Sequence, residues 1–192
     1  MPLSKPQPSK RTMQAFRNGI AELVDMGRAP GDLRPEGYPY EIYVLTLGQA
    51  AKGSKLGDSK AVAWELLLES ASGLPVAAAV GHPPAGRTPR MTSLARGPLI
   101  ARLLAATAQI ENLPEVQVRD YELRRLFIGG LSVRAFWLKA LAGSEDLIVP
   151  YNAVITEFVR MKPYASGEFM RVIGKLARKR LKFNDRPRSR KK

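Results

Sequence analysis

The spacing of apolar residues predicts helices in five parts of the chain. The first is expected to begin at Thr12, as its N-cap, and to end at Gly27. Its apolar positions recur at helical spacing: Met13, Phe16, Ile20, Leu23 and Val24. By similar criteria we expect four more helices, at about 59–73, 97–113, 152–161 and 166–182.

β-Branched and aromatic residues predict strands between these helices. Short strands are expected at 41–47 and 75–80, and an antiparallel meander at about 117–128, 131–140 and 146–150. Apolar positions from Leu131 to Ala142 also fit a helix, but their β-prone neighbours and the hairpin pair Gly129-Gly130 favour strands. The order of elements predicts an α+β fold, in which an antiparallel β-meander packs with about five helices.

Length and composition indicate one globular domain with extensions. The chain has 192 residues, of which 45% are hydrophobic and 25% are charged, as in ordinary folded domains. We assign residues 12–165 to a single α+β globular domain. Residues 1–11, which contain three prolines, are expected to be a flexible basic arm, and residues 166–192 a basic amphipathic helix with a tail.

Several classes of protein are disfavoured by what the sequence lacks. No apolar run approaches the roughly 20 residues of a membrane-spanning helix, and the N-terminus has no apolar region typical of a secretory signal. The chain has no cysteine and one histidine, so thiolate and histidine-cluster metal sites are excluded and no cofactor is expected. We expect an intracellular, cytoplasmic protein.

Positive charge is concentrated at the C-terminus. Residues 171–192 contain eleven Lys or Arg residues and one acid, Asp185, which gives +10 of the total formal charge of +14. Lys5, Lys10 and Arg11 account for three of the remaining four charges, so residues 12–170 are nearly neutral. A neutral body with a basic tail indicates a polyanionic partner.

Nucleic acid is the partner that we expect, bound through its phosphates with low sequence specificity. A cationic segment that neutralises roughly 6–10 phosphates binds by counterion release, which does not select bases. A solvated tail without a partner, an anionic lipid and an acidic protein are the alternatives. The expected nucleic-acid-binding residues are Arg171, Lys175, Arg178, Lys179, Arg180, Lys182, Arg186, Arg188, Arg190, Lys191 and Lys192.

The loop at 81–93 is a second candidate contact for an anion. It resembles a phosphate-binding loop, G-x-x-x-x-G-K-[ST], with Arg87 in place of lysine. Pro83 and Pro84 each remove a backbone N–H that such a loop needs, so nucleotide hydrolysis is not expected. Three cations in or near the loop still suggest a second anion contact, against the alternative of an ordinary exposed loop: Arg87, Arg90 and Arg96.

Catalytic patterns are weak in this sequence. His82 is the single histidine, and no nucleophile stands at a spacing that supports a catalytic triad. Asp120 and Glu122 alternate on a predicted strand and, with Arg124, resemble an incomplete metal-dependent nuclease motif. The solvent-exposed face of a strand has the same pattern, so we expect no catalytic residues and keep a nuclease as a third hypothesis.

A structural or adaptor subunit of a larger assembly is the second hypothesis. The predicted strand around Phe136 and Trp137 is apolar on both faces, so it is either covered on both sides or exposed to a partner. In the latter case the strands at 117–150 would form an interface in a homo-oligomer or a protein assembly.

Overall fold

The structure, a computed structural model, describes residues 3–4, 6–33, 38–143, 145–153 and 155–184. These residues form nine strands and five α-helices, which confirms the α+β fold. The strands are β1 (Leu3–Ser4), β2 (Tyr38–Val44), β3 (Lys60–Glu69), β4 (Pro75–Gly81), β5 (Met91–Arg96), β6 (Tyr121–Ile128), β7 (Val133–Ala140), β8 (Leu147–Ala153) and β9 (Tyr164–Ala165). The helices are α1 (Lys10–Asp25), α2 (Leu47–Ala51), α3 (Pro98–Ile110), α4 (Pro114–Val118) and α5 (Ser166–Asn184).

All nine strands belong to one mixed sheet. Its order is β5-β4-β3-β2-β6-β7-β8-β9, and β1 pairs with β6 in parallel. The contact between β2 and β6 is also parallel, and the other pairs are antiparallel. The predicted meander is confirmed in β6, β7 and β8, where Leu123 is opposite Leu138 and Trp137 is opposite Ile148.

Helices cover both faces of the sheet. One face packs against α3, whose buried residues Ile100, Leu103, Ala106 and Ile110 recur every three or four positions. On the other face, α1 covers the β3–β4 end and α5 covers the β6–β8 end. Between α1 and α5 a strip of half-buried polar and aromatic side chains remains on β2, β3 and β6.

The first helix begins earlier than its sequence pattern predicts. Ser9, rather than Thr12, is the N-cap, since its hydroxyl oxygen accepts a hydrogen bond from the Thr12 amide at 3.2 Å. Thr12 lies inside the helix and is buried. Leu3 is also buried, in a strand, so residues 1–11 contain more regular structure than the flexible arm that we expected.

Two predicted helices are not helices. The segment expected to be helical at 59–73 forms β3, which pairs with β2 and β4 and is covered on both faces. The segment expected at 152–161 contains the end of β8, and from residue 155 onward it forms turns and a bend. The helices predicted at 97–113 and 166–182 are confirmed in α3 and α5, and α2, α4 and β5 were not predicted.

Among the described residues, no helix combines the length and the apolar character needed to cross a membrane.

Candidate nucleic-acid interface

Helix α5 has one buried face and one cationic face. Phe169, Ile173 and Ala177 are fully buried against the sheet. The cationic residues predicted to bind nucleic acid are exposed along the described part of this segment: Arg171, Lys175, Arg178, Lys179, Arg180 and Lys182. Packing of the apolar face therefore fixes which side of the helix faces solvent.

Five of these cations form a single row, which we call the α5 stripe: Arg171, Lys175, Arg178, Lys179 and Lys182. At 100° per residue they fall within roughly a third of the helix circumference, opposite the buried positions. The row is about 16 Å long, because eleven residues at 1.5 Å each separate its ends. Arg180 points away from the stripe and is also exposed.

Like charges are close together in the α5 stripe. Arg171, Lys175 and Lys179 follow one another at intervals of four residues, a spacing that destabilises a helix when the charges are alike. Glu168 is the single acid of α5. Among the residues that the structure describes, no carboxylate forms an ion pair with a cation of this helix. Within the described part of the chain, the charge of the stripe is therefore not neutralised by a direct ion pair.

A cleft runs along one edge of the stripe. It encloses about 570 Å³ between α5 and the turn at 53–57 that follows α2. Arg171 and Arg178 line it from the helix, and Lys55 lines it from the turn. Cations thus line both sides of a space large enough for a phosphate group with part of its sugar. Asp146 also lines this space, and its carboxylate accepts hydrogen bonds from the Trp137 indole and the Ala140 amide.

Helix α5 is held firmly against α2. A Cβ at Gly174 would be 3.3 Å from the carbonyl oxygen of Ala50, so the two helices approach with little space for a side chain. Four residues later, the Arg178 guanidinium donates a hydrogen bond to the carbonyl oxygen of Ala51 at 3.0 Å. These contacts fix the position of the stripe relative to the cleft.

The remaining predicted binding residues lie outside the described residues: Arg186, Arg188, Arg190, Lys191 and Lys192. They stay a prediction from the sequence.

The second predicted anion contact is divided between two pockets. Arg87 and Arg90 line a pocket of about 540 Å³ at the turn between β4 and β5. Arg90 and Arg96 line another, of about 760 Å³, between α1 and β5. Arg96 donates a hydrogen bond to the carbonyl oxygen of Arg28 at 2.6 Å, whereas Arg87 and Arg90 have no ion-pair partner within the described ranges.

Two linked polar pairs lie on or beside the strip between α1 and α5. His82 Nε2 lies 3.2 Å from Glu41 Oε1, and the Tyr43 hydroxyl donates to the other oxygen of Glu41 at 2.6 Å. Arg124 Nε donates to Glu122 at 2.5 Å, and its guanidinium lies 4.8 Å from the centre of the Tyr43 ring. Burial raises the pKa of the Tyr43 phenol above its ordinary value, and the hydrogen bond to Glu41 raises it further.

The residues of the incomplete nuclease motif are separated in their environments. Asp120 lies just before β6 and is exposed, while Glu122 is occupied by Arg124. Among the described residues, no group of three or more His, Asp or Glu side chains is placed to hold a metal ion.

Phe136 and Trp137 are not available as an exposed protein interface. Their exposed fractions are 0% and 3%, because β7 lies between β6 and β8 with α3 on one side and α5 on the other. The Trp137 indole donates to Asp146 at 2.9 Å, so its polar atom is also satisfied within the chain. Of the two arrangements considered for this strand, coverage on both faces is the one observed.

Sequence reasoning missed two features of these sites. Lys55 was not assigned a role, because it lies between the strand predicted at 41–47 and the helix predicted at 59–73, far in sequence from the basic C-terminal segment. The pair formed by Glu41 and His82 joins residues far apart in the chain and has no local sequence pattern.

Comparison with known proteins gives no match to a family model, to a curated protein or to a solved structure. The fold and the side chains of the chain itself therefore carry the functional argument.

Proposed function

We propose that this protein binds the phosphate backbone of nucleic acid, without base selectivity, through the α5 stripe. The observation that carries this proposal is a row of five exposed cations with no carboxylate partner among the described residues. Like charges at four-residue spacing repel one another and destabilise the helix that holds them. A bound polyanion reduces that repulsion.

The dimensions of the stripe support a nucleic-acid strand as the ligand. The row is about 16 Å long, so it can contact several successive phosphates of one strand. The cleft beside Arg171 and Arg178 adds Lys55 on the opposite side of the same path. Contacts of these side chains with phosphate position a strand but do not read its bases.

The test is a binding titration of a charge-neutralised variant. Four stripe residues are changed to glutamine, and Arg178 is kept because it also bonds to Ala51: Arg171→Gln, Lys175→Gln, Lys179→Gln and Lys182→Gln. Fluorescence anisotropy with labelled single- and double-stranded DNA and RNA gives Kd at several salt concentrations between about 50 and 200 mM. If each residue contacts one phosphate, the slope of log K against log salt should become shallower by about 3 to 4.

A matched control removes the same charge elsewhere. Four exposed cations outside α5 are changed to glutamine together: Arg17, Lys60, Arg102 and Arg119. This variant should keep most of the affinity and the slope of the wild type. An equal loss in both variants would show that net charge, rather than the stripe, drives binding, and tighter binding to anionic lipid vesicles than to any nucleic acid would also reject the proposal.

A further inference from the structure

The pocket at the turn between β4 and β5 is lined by three side chains that can form further hydrogen bonds. His82, Arg87 and Arg90 line it, together with the hydroxyl-bearing Thr88 and Thr92. Its volume of about 540 Å³ is within the range of small-molecule sites. The pocket shares no residue with the α5 stripe or with its cleft.

His82 is held in one orientation by a carboxylate that lies deeper in the fold. Glu41 Oε1 is 3.2 Å from Nε2, and the Glu41 side chain is 19% exposed. The Tyr43 hydroxyl fixes the second oxygen of the same carboxylate at 2.6 Å. The Trp64 ring packs edge-on against the imidazole, with 6.4 Å between the ring centres.

This orientation leaves Nδ1 of His82 available. Within the described residues Nδ1 has no hydrogen-bond partner, and neither guanidinium at Arg87 or Arg90 has one. Nδ1 of His82 can therefore form a hydrogen bond with a ligand in the pocket. The two guanidinium groups add several hydrogen-bond donors, so three side chains can contact one ligand.

We propose that this pocket binds the terminal phosphate of a phosphomonoester. A phosphomonoester carries close to two negative charges near neutral pH and three oxygens that accept hydrogen bonds, which matches two arginine side chains with His82 beside them. Pro83 and Pro84 prevent the surrounding loop from binding phosphate with consecutive backbone N–H groups, so side chains supply the donors.

The experiment measures the binding of adenosine 5′-monophosphate by calorimetry. We expect saturable binding of the monophosphate, much weaker binding of the cyclic 3′,5′-diester, and none of adenosine. Arg87→Gln and Arg90→Gln should each weaken binding about tenfold, because each removes a charge-assisted contact. His82→Gln should also weaken it, whereas Arg96→Gln, a nearby arginine outside the pocket that already bonds to Arg28, is the matched control.

Two further measurements separate this proposal from nucleic-acid binding and identify the source of the phosphate. The variant neutralised in the α5 stripe should bind the monophosphate as the wild type does, so either proposal can fail alone. A 5′-phosphorylated oligonucleotide is compared with its 5′-hydroxyl form in that stripe variant; a preference for the former assigns the site to nucleic-acid ends, and equal binding assigns it to small phosphomonoesters. Equal affinity for the monophosphate and adenosine, or affinity unchanged in both arginine variants, would overturn the proposal.

Discussion

At Gly19 the middle of helix α1 approaches strand β5 without space for a side chain. A Cβ at this position would lie 2.5 Å from Cβ of Met91. The Met91 Cβ is attached directly to the strand backbone, so it cannot rotate away as the end of a side chain could. Close approach of the backbones explains a glycine at a position where helix propensity alone disfavours it.

Gly19→Ala should therefore destabilise the protein by up to about 2 kcal/mol, because overpacking costs about 1–3 kcal/mol and helix propensity returns roughly 1 kcal/mol. The free energy of unfolding in urea, followed by circular dichroism, measures this change. Gly48→Ala is the matched control, since no atom lies within 4 Å of the added Cβ. If Gly19→Ala is as stable as the wild type, α1 does not pack on β5 at this distance.

Contacts between distant residues were the part of the candidate sites that the sequence could not predict. Glu41 reaches His82 because β2 pairs with β3 and β3 pairs with β4, which places Glu41 opposite Trp64 and Trp64 opposite Val80. The register of these three strands depends on tertiary packing. The sequence shows that His82 is the single histidine of the chain, but it does not show that a carboxylate orients the imidazole.

At the scale of whole elements, helix α5 and strand β3 show why one prediction was correct and another was wrong. Helix α5 was predicted closely because its apolar and cationic positions alternate with helical period. Strand β3 was predicted as a helix because both of its faces pack against other elements. Its run Trp64-Glu65-Leu66-Leu67-Leu68 then lacks the alternation of a half-exposed strand and also fits a helix.

Repulsion between the cations of the α5 stripe should lower the free energy of unfolding, and a substitution can test this. Lys175→Glu replaces two repulsive contacts, with Arg171 and Lys179, by attractive ones at four-residue spacing. We expect the free energy of unfolding at low salt to rise by about 0.5–1 kcal/mol while affinity for nucleic acid falls. Urea unfolding and anisotropy on the same preparation measure both changes.

Lys175→Gln serves as the control for that substitution. It removes the repulsion without adding attraction, so its stability should lie between those of the wild type and Lys175→Glu. A stability that falls on charge reversal would mean that an acid outside the described residues already neutralises the stripe.

In the whole molecule, the buried core and much of the positive charge belong to different parts of the chain. The deeply buried positions of α5 end at Ala177, and the residues after 184 contribute five cations and one acid. Removal of residues 185–192 should therefore leave the melting temperature unchanged and make the salt slope shallower by up to about 4. Differential scanning fluorimetry and anisotropy measure these two quantities.

A longer deletion, of residues 178–192, also removes three of the five cations of the α5 stripe and should abolish binding while most of the sheet remains folded. If the shorter deletion alone abolishes binding, the stripe is not the principal contact.

The attachment of α5 to α2 reduces the conformational entropy that the protein loses when it binds a ligand. Because Gly174 and Arg178 hold the helix backbone in place, the cations are already arranged before association, and only their side-chain rotamers remain to be restricted. A disordered basic segment of equal charge would also lose backbone entropy on binding. Per charge, the helical part of the C-terminal segment should accordingly bind more tightly than an unstructured peptide of the same composition.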